Sequence, residues 1–369
     1  MKPREFHIWQ FPEDKIRVLF KDHKEFINNS IKLFGSKKAL AEFLNISSPL
    51  IYYWGKYPLY IPLKHIKKIV NKFKLDWYKI EKEIISYKGI NTSSPILNPK
   101  LPIKETPEIF ALITHIICDG SVNKNGIPYY INSNKNLINN FDKILENSFG
   151  KVNKRIRFGG GINKNCYEYR FSKIISDLLE HFYSIKLYKA ERLPSILFDL
   201  PKEFSISVIR AFADDEGTVD SSRRIGICSN SKELLEYLIK LLKEKLSFIY
   251  ITNIKNKGEH HHYFYIKTQD IEKYYKEIGF NHPLKEQKLK ELIELRKNGR
   301  GRGQHTRIGE TRERLLKLLD NKILSTYEIM KELKINKSNI NSQIKRLINQ
   351  NIIIQHHKTG QTVFWTRRN

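Results

Sequence analysis

Hydrophobic and polar positions along the chain divide it into three regions. Residues 1–90 carry apolar positions at helical spacing, and residues 108–298 mix helix-like segments with short strand-like runs. Residues 311–369 are helical in pattern until two strand-like runs near the end, which flank a Lys-Thr-Gly turn. The segment 91–107 is rich in Ser, Asn and Pro, and the segment 299–310 is basic and Gly-rich. Both segments are predicted to be linkers.

The middle region contains an internal repeat. The stretches "FALITHIICDGSV" (110–122) and "IRAFADDEGTV" (209–219) each read as an apolar helix that ends in an acidic residue and a glycine. In both copies there follow a strand ending in Ser-Asn, a long amphipathic helix, a hairpin and a last helix. Duplicated units of this size normally pack around a pseudo-twofold axis. The pattern therefore predicts an α+β fold with a duplicated αββαββα core, flanked by all-α domains.

The composition points to a polyanionic partner. The chain has 369 residues and a formal net charge of +27, from 66 Lys and Arg against 39 Asp and Glu. Such an excess favours nucleic acid first and an anionic membrane surface second. No apolar run reaches the ~18–20 residues that span a bilayer, and the N-terminus lacks a signal-peptide core. A cytoplasmic, nucleoid-associated protein without a membrane partner is expected, and the richness in Ile, Lys and Asn fits an AT-rich, archaeal genome.

The cysteines do not change this picture. Cys118, Cys166 and Cys228 are scattered and show no zinc-ligand spacing. We expect them to be reduced thiols.

A tight acidic cluster is unexpected in so basic a chain. Asp214, Asp215 and Glu216 follow an apolar segment and directly precede Gly217. Together with the first copy, "LITHIICDG" (112–120) and "IRAFADDEG" (209–217) resemble the two signature motifs of the LAGLIDADG homing endonucleases. The resemblance covers roughly residues 108–296.

The resemblance implies that the two signature helices lie side by side, so that Asp119 and Glu216 converge at their ends. Gly120 and Gly217 would then allow a sharp turn into the first strand of each copy. Two carboxylates this close repel each other unless a divalent cation lies between them, and hard oxygen ligands suit Mg²⁺. Asp119 and Glu216 are therefore expected to be catalytic metal ligands for phosphodiester hydrolysis. The alternative is that both acids merely end their helices.

The chain departs from the family pattern at several positions. Thr114 and His115 stand where the family usually has small and apolar residues. Asp214 matches the family's inner Asp, whereas its counterpart in the first copy is Ile117. One expected metal ligand is Asp and the other is Glu, which leaves the geometry of the pair open.

The family resemblance also implies basic groups near the DNA. Lys189 and Lys285 are the candidates for a catalytic basic residue beside the scissile phosphate, with a solvated surface lysine as the alternative. The strand-like runs of the first copy supply Arg155, Arg157 and Arg170. In the family a curved sheet lies on the major groove, where such side chains reach phosphates and base edges. Ordinary surface arginines are the alternative.

Residues 35–57 resemble a helix-turn-helix of the phage-repressor type. Its second helix would present Ser48, Tyr52, Tyr53 and Lys56 to a DNA groove. The alternative is a helical pair that serves only for packing.

Residues 311–369 resemble a winged helix, a fold that also serves for protein contacts. Its outward-facing polar side chains and its basic hairpin predict DNA contacts. These residues are Ser338, Asn341, Lys345, Lys358 and Arg367.

The sequence thus predicts a monomeric, Mg²⁺-dependent endodeoxyribonuclease that makes double-strand breaks at a specific site. The first alternative is a transcriptional regulator with the same core but no nuclease activity. A weaker alternative is an RNA maturase, for which structured RNA would be the partner.

Overall fold

A computed structural model describes most of the chain. The described residues are 1–90, 94–123, 126–159, 165–190, 192–219, 224–256, 261–297, 310–320, 322–333, 335, 337–359 and 362–368. The side chains of Lys189 and Ser338, and nearly all of the predicted basic linker 299–310, lie outside the described part. The chain forms two compact units, Met1–Glu291 and Leu292–Asn369, and each is described by itself.

The first part of the larger unit mixes helices with strands. Its elements are β1 (Glu5–Phe6), β2 (Ile16–Phe20), α1 (His23–Phe34), α2 (Lys37–Leu44), α3 (Ser48–Lys56), β3 (Ile61–Pro62), α4 (Leu63–Phe73), α5 (Trp77–Lys82) and β4 (Ile84–Gly89). Strand β2 pairs antiparallel with both β3 and β4. Alternate residues of β2 are buried, as expected for a sheet with one face on a core. The prediction that residues 1–90 are all helical is therefore wrong.

Helices α2 and α3 are joined by a tight turn. The Ser36 hydroxyl accepts a hydrogen bond from the Ala39 N–H at 3.1 Å and begins α2. Asn45 ends α2 in the left-handed region, with φ 54°, which Asn adopts more readily than most residues. The apolar positions of the helix-turn-helix pattern are mostly inside: Leu40, Ala41, Leu44, Ile51 and Trp54 are buried, and Ile46 in the turn is partly buried.

The segment 91–107, predicted to be a linker, contributes two short strands. Strand β5 (Ile96–Leu97) pairs with β4 on one side and with β9 (Lys151–Val152) on the other. Strand β6 (Ile103–Lys104) pairs with β1. The order β3-β2-β4-β5-β9 makes one five-stranded sheet that is shared by the first part of the chain and the first copy of the repeat.

The two copies of the repeat have the same order of elements. The first contains α6 (Pro107–Asp119), β7 (Gly120–Val122), β8 (Pro128–Asn132), α7 (Lys135–Phe149), β10 (Arg155–Phe158), β11 (Tyr167–Arg170) and α8 (Lys173–Tyr183). The second contains α9 (Lys202–Glu216), β12 (Gly217–Val219), β13 (Ile225–Ser229), α10 (Lys232–Glu244), β14 (Lys255–Asn256), β15 (His262–Ile266) and α11 (Ile271–Glu277), and α12 (Pro283–Lys297) follows. Their antiparallel sheets have the equivalent orders β10-β11-β8-β7 and β14-β15-β13-β12. The predicted α+β class is confirmed.

Helices α6 and α9 lie against each other along their length at the centre of the larger unit. Residues 109–116 of α6 are all buried, and α9 is buried over most of its second half. A helix that is apolar on all sides must be surrounded by protein, which explains why both signature segments lack a polar face. The small residues Ala111, Ala211 and Ala213 are buried here and permit a close approach of the two backbones.

The smaller unit contains three helices and a small sheet. Its elements are α13 (Glu310–Leu319), β16 (Leu324–Ser325), α14 (Thr326–Leu333), α15 (Lys337–Asn349), β17 (Ile353–Thr359) and β18 (Thr362–Arg367). The strands pair in the order β16-β18-β17. The core is formed by Leu315, Leu319, Ile329, Leu333, Ile340, Ile344, Leu347 and Ile353. Each helix thus turns its regularly spaced apolar residues towards this core.

Candidate active site

The two signature acids lie at the ends of the two central helices. Asp119 is the last residue of α6, and Glu216 is the last residue of α9. Each is followed by a glycine whose N–H donates to the carbonyl four residues back, which ends the helix. Because α6 and α9 run side by side, the fold brings both acids to the same end of the helix pair.

A side chain at either glycine would collide with the last turn of the preceding helix. Gly120 and Gly217 have φ of −89° and −93°, so neither needs left-handed backbone. A Cβ at Gly120 would lie 2.2 Å from the Ile116 carbonyl oxygen, and a Cβ at Gly217 would lie 2.4 Å from the Ala213 carbonyl oxygen. Only glycine lets the strand leave the helix end this tightly.

Replacing Gly217 with Ala is expected to lower the free energy of unfolding by about 2 kcal/mol, because the new methyl group displaces backbone that cannot easily move. Urea denaturation measures this loss. Gly35→Ala is a useful comparison, since no atom lies within 4 Å of a Cβ there and only its φ of +82° opposes the change. A Gly217→Ala protein as stable as the wild type would contradict the steric argument.

Asp119 opens into a polar cavity of about 530 Å³. The Asn132 amide Nδ2 donates to Asp119 Oδ2 at 3.2 Å. Burial, and after it the charges of Asp215 and Glu216, raise the pKa of Asp119 to about 8. The lining residues are Cys118, Asp119, Gly120, Ile131, Asn132, Ser133, Cys166, Asp214, Asp215, His282 and Lys285.

Glu216 faces a second and smaller cavity of about 210 Å³. Its nearest side-chain partner among the described residues is the Cys228 thiol, with Sγ 3.8 Å from Oε2 and 3.1 Å from the Glu216 carbonyl oxygen. Burial and the Asp215 charge raise the pKa of Glu216, and burial followed by the Glu216 charge raises the pKa of Cys228 to about 11. Cys118 lines both cavities, so the two acid centres are neighbours.

The other two acids of the cluster also line the Asp119 cavity, but each has protein partners of its own. Asp214 Oδ1 accepts from the backbone N–H groups of Asn281 and His282, each at 2.9 Å, and so holds the segment before α12. Burial raises the pKa of Asp214 to about 6, although the His282 N–H bond opposes this. Asp215 turns back between the helices, where its side chain is fully buried.

Asp215 meets three side chains of the first copy that the sequence did not single out as a site. His115 Nδ1 lies 2.8 Å from Asp215 Oδ2, and the Tyr130 hydroxyl donates to Asp215 Oδ1 at 2.8 Å. Asn132 Nδ2 lies 3.2 Å from the same Oδ1. Burial lowers the pKa of His115, but Asp215 and the nearby acids outweigh it, so the net shift is upward. We call His115, Tyr130, Asn132 and Asp215 the buried polar cluster.

Lys285 lies in the Asp119 cavity, but its ammonium already has partners. Nζ donates to the carbonyl oxygens of Ala213 at 3.0 Å and Asp214 at 2.6 Å, and lies 3.4 Å from that of Asp215. It therefore binds the end of α9, a favourable place for a cation. Burial lowers the pKa of Lys285, and the surrounding acids oppose this shift. On the other side, the backbone of Lys189 lies between Tyr188 and Ala190, which line the Glu216 cavity.

The raised pKa of Asp119 predicts how stability changes with pH. Because folding raises this pKa from about 3.9 to about 8, the contribution of Asp119 is fully present below pH ~4 and is lost as the pH rises through about 8. We expect the urea midpoint of the metal-free protein to fall over this range, and to fall less in Asp119→Asn. Urea denaturation curves of both proteins at acidic and at mildly alkaline pH measure the two changes in midpoint. Equal decreases in the wild type and in Asp119→Asn would contradict a raised pKa of Asp119.

The two signature acids are the candidate metal ligands among the described residues. Across those residues, no group of three or more His, Cys, Asp or Glu side chains is placed to hold an ion. Asp119 and Glu216 offer hard oxygen ligands in a place where acids outnumber free cations, since the Lys285 ammonium is bound to carbonyls. This suits a cation such as Mg²⁺, which keeps several waters and binds through one or two carboxylates plus substrate phosphates.

The outer face of the first sheet carries basic residues. Arg155 and Arg157 are exposed on the edge strand β10, and they alternate with residues that point to the other face. Arg170 lies opposite Arg155 on β11 and forms an ion pair with Glu168. The three arginines predicted to contact DNA thus share one face.

The second sheet has an equivalent outer face that the sequence reading missed. The Arg224 guanidinium lies over the Tyr265 ring, 3.9 Å from its centre, and Tyr263 contacts Tyr265 at 5.4 Å between ring centres. Their partners Ile225, Phe264 and Ile266 are buried on the opposite face. The alternation of apolar and polar residues in "HYFYI" is the signal that could have found this face.

The predicted contact residues of α3 are at the surface. Tyr52 and Tyr53 are 45% and 48% exposed, and Ser48 is exposed at the start of the helix. The Lys56 ammonium lies over the Tyr52 ring, 5.5 Å from its centre. The structure thus brings these residues to one surface of α3.

In the smaller unit the exposed candidates are Asn341 and Lys345 on α15 and Lys358 on β17. Arg367 is also exposed, but it forms an ion pair with Asp320.

Among the helices of the described part, none is long and apolar enough to cross a membrane.

Comparison with known proteins gives short or distant matches. The family model for bacterial regulatory proteins of the arsR family matches residues 309–355. Glutamine–fructose-6-phosphate aminotransferase (isomerizing) of Methanocaldococcus jannaschii is 24% identical over 241 residues, which are 62% of this chain and 21% of the relative. DNA-directed RNA polymerase subunit Rpo1C of the same organism is 25% identical over 185 residues, 48% of this chain and 20% of the relative. The chain thus spans about a fifth of the length of these curated relatives.

Solved structures match with low TM-scores. The homing endonuclease I-DmoI in complex with DNA and Mn has a TM-score of 0.34 and 17% identity, over 47% of this chain and 96% of that chain. Full-length DUF199/WhiA from Thermatoga maritima has a TM-score of 0.38 and 15% identity, over 66% of this chain and 90% of that chain.

Proposed function

We propose that this chain is a site-specific DNA-binding protein whose duplicated core hydrolyses both strands of a duplex with a divalent cation, Mg²⁺ by default. The observation that supports this most is the pair of acids at the ends of α6 and α9, each facing its own cavity and both next to Cys118. Since one chain supplies both acids, a monomer would contain both centres.

Asp119 and Glu216 would each hold a cation, with water and DNA phosphate oxygens completing its shell. When bound, such a cation supplies electrostatic stabilisation of the charge that develops on the phosphate. In the hydrolysis, a water oxygen bonds to phosphorus as the bond to the leaving sugar oxygen breaks, the water loses a proton to solvent, and the leaving oxygen gains one. Lys285 keeps the end of α9 in place through its carbonyl contacts. Lys189 is proposed as the basic residue on the Glu216 side.

The outer faces of the two sheets would lie on the DNA. Arg155, Arg157 and Arg170 would contact phosphates and base edges on one side, and the pair Arg224 and Tyr265 would do so on the other. These faces belong to sheets whose edge strands β7 and β12 begin directly after the two acids, so DNA held on them would place its backbone near both cavities.

The flanking regions would add further DNA contacts. Helix α3 would act as the second helix of a helix-turn-helix through Ser48, Tyr52, Tyr53 and Lys56. The smaller unit would be a winged helix, which its element order and its match to arsR-family regulators support. Its proposed contact residues are Ser338, Asn341, Lys345, Lys358 and Arg367.

A second candidate function is a regulator that binds DNA without cutting it. The match of residues 309–355 to a regulatory family favours this reading. The retained acid pair favours the nuclease, because carboxylates beside phosphates repel them and would only weaken a core that binds DNA without cutting it.

The proposal is tested by selecting bound duplexes from random DNA. The selected duplexes are then incubated with Mg²⁺ or Ca²⁺. We expect double-strand cleavage with Mg²⁺ at one site per duplex. Tight, specific binding with no cleavage in any cation would support the regulator instead. An excess of structured RNA that displaces the duplex would support an RNA partner.

Replacing Arg155 and Arg157 together with Gln is expected to weaken duplex binding about 10-fold near 0.1 M salt and to lower the salt slope by about 2, one for each lost phosphate contact. Fluorescence anisotropy at several salt concentrations measures both effects. Lys154→Gln is the matched control, because the Lys154 ammonium is already bonded to Asp142 at 2.6 Å and Glu146 at 3.0 Å. Equal losses in both variants would argue against a specific role for the β10 face.

A further inference from the structure

The two acid centres are built differently, and this inference rests on the proposed nuclease function. Strand pairing places Gly120 opposite Tyr130 in the first copy and Gly217 opposite Ile227 in the second, so these positions are equivalent. In the same register Asn132 corresponds to Ser229. Along the helices, His115 corresponds to Phe212 and Cys118 to Asp215. The polar residues of the buried polar cluster therefore have mostly apolar or smaller counterparts across the pseudo-twofold axis.

The cluster fixes the orientation of one amide. Asn132 Oδ1 accepts from the Asn134 N–H at 2.9 Å, so its Nδ2 must be the atom that faces the acids. Nδ2 lies 3.2 Å from Asp119 Oδ2, from Asp215 Oδ1 and from the Tyr130 hydroxyl. A rigid donor thus points at the Asp119 carboxylate.

Asp215 contacts all three other residues of the buried polar cluster. It reaches from the second copy into the first and accepts from Tyr130 and Asn132 with one oxygen and contacts His115 with the other. The side chains of His115 and Asp215 are 1% and 0% exposed, so water does not compete for these bonds.

The Glu216 centre has no equivalent support within the described residues. Ser229 Oγ, at the position equivalent to Asn132, accepts from the Ser231 N–H at 3.1 Å and so serves the local turn. The contact that holds the Glu216 side chain comes from the Cys228 thiol, which is a weak donor.

We propose that His115, Tyr130 and Asp215 are positioning residues that hold Asn132, and through it Asp119, so that the two centres are unequal. The Asp119 centre is preorganised, and the DNA strand that faces it is cut first. The strand that faces Glu216 is cut more slowly, and a nicked duplex accumulates between the two events.

The test follows each strand separately. A selected duplex, labelled at one end of either strand, is incubated with excess protein and Mg²⁺ and resolved on a denaturing gel. We expect one strand of the wild-type reaction to be cut at least about 10-fold faster than the other. Asn132→Ser, which installs the residue of the other copy, should slow that strand by about 10- to 100-fold, a usual effect of removing the support of a ligand. The other strand should keep its rate.

Two further variants provide a control and a second test of the buried polar cluster. Ser229→Ala, the matched change in the second copy, should leave both strand rates within about twofold. Tyr130→Phe removes one hydroxyl from the cluster and should slow the same strand as Asn132→Ser, which covers the case in which Asn132→Ser does not fold. Equal cutting of both strands by the wild type, or equal slowing of both by Asn132→Ser, would overturn the proposal.

A second readout does not depend on cleavage. Mn²⁺ binding to the protein–duplex complex, followed by electron paramagnetic resonance, should show one class of site weakened about 10-fold in Asn132→Ser and unchanged in Ser229→Ala. If the wild type binds Mn²⁺ but cuts neither strand, the nuclease function fails while the positioning role is still decided by this titration. If Mn²⁺ binding is the same in Asn132→Ser and the wild type, the positioning role fails.

Discussion

Changing Asp119 to Asn and Glu216 to Gln together is expected to abolish DNA cleavage while duplex binding persists. Both replacements keep the shape of the side chain, so the helix ends should stay in place. They remove the two carboxylates that would hold the cations of the two centres. The hydrolysis rate should therefore fall by on the order of 10³-fold or more, as when electrostatic stabilisation of a transition state is lost. A cleavage assay on the selected duplex, beside anisotropy of the same complex, measures both properties.

Binding offers an independent check on this first prediction. Without a cation, and at a pH above about 8 where Asp119 is ionised, Asp119 and Glu216 repel the phosphates that approach them. Neutral replacements should then bind metal-free duplex at least as tightly as the wild type. Glu236→Gln is the matched control, because Glu236 is exposed on α10 and pairs with Lys232 at the surface. Cleavage that survives in the double variant would mean that other groups carry the reaction.

The buried pair His115 and Asp215 should give the largest stability effect in the chain. Replacing Asp215 with Cys, the residue at the equivalent position of the first copy, leaves His115 without its carboxylate. Replacing His115 with Phe leaves a buried carboxylate without its imidazole. Removing one partner of a buried ion pair typically costs about 3–5 kcal/mol, and we expect each single change to lower the free energy of unfolding by about 3 kcal/mol or more.

The double variant distinguishes pairing from packing. Phe212 and Cys118 already occupy the equivalent positions on the other side of the helix pair, where both line the Glu216 cavity. His115→Phe with Asp215→Cys should therefore be less destabilised than either single variant, since no buried charge is left alone. Urea denaturation of the wild type, the two single variants and the double variant gives the coupling free energy between the two side chains. Losses that simply add would show that the two side chains do not depend on each other.

The sequence was most informative where a pattern repeats. The recurrence of an apolar helix, an acid and a glycine predicts the duplicated core and the two acids at its centre, because both copies obey the same packing rule. Strands β2 and β4 were missed because their partners are distant in the chain and short apolar runs fit either helix or strand.

The buried polar cluster could not be read from local sequence. Asp214, Asp215 and Glu216 are adjacent, yet successive helical residues point about 100° apart, so the three acids contact three different sets of partners. Their partners Tyr130 and Asn132 lie on a strand of the other copy. The one available clue was the exchange of polar for apolar residues between equivalent positions of the two copies.

The five-stranded sheet that joins β4 through β5 to β9 ties the region of α2 and α3 to the first copy of the core. If both parts hold one duplex, the protein sets the helical phase between the two stretches of DNA. B-form DNA completes a turn in about 10–10.5 base pairs, so inserting roughly half a turn between these stretches would move one of them to the opposite side of the duplex. Sites with such insertions would lose one set of contacts entirely. The protein would therefore recognise the spacing between the two stretches of its target as well as their base sequence.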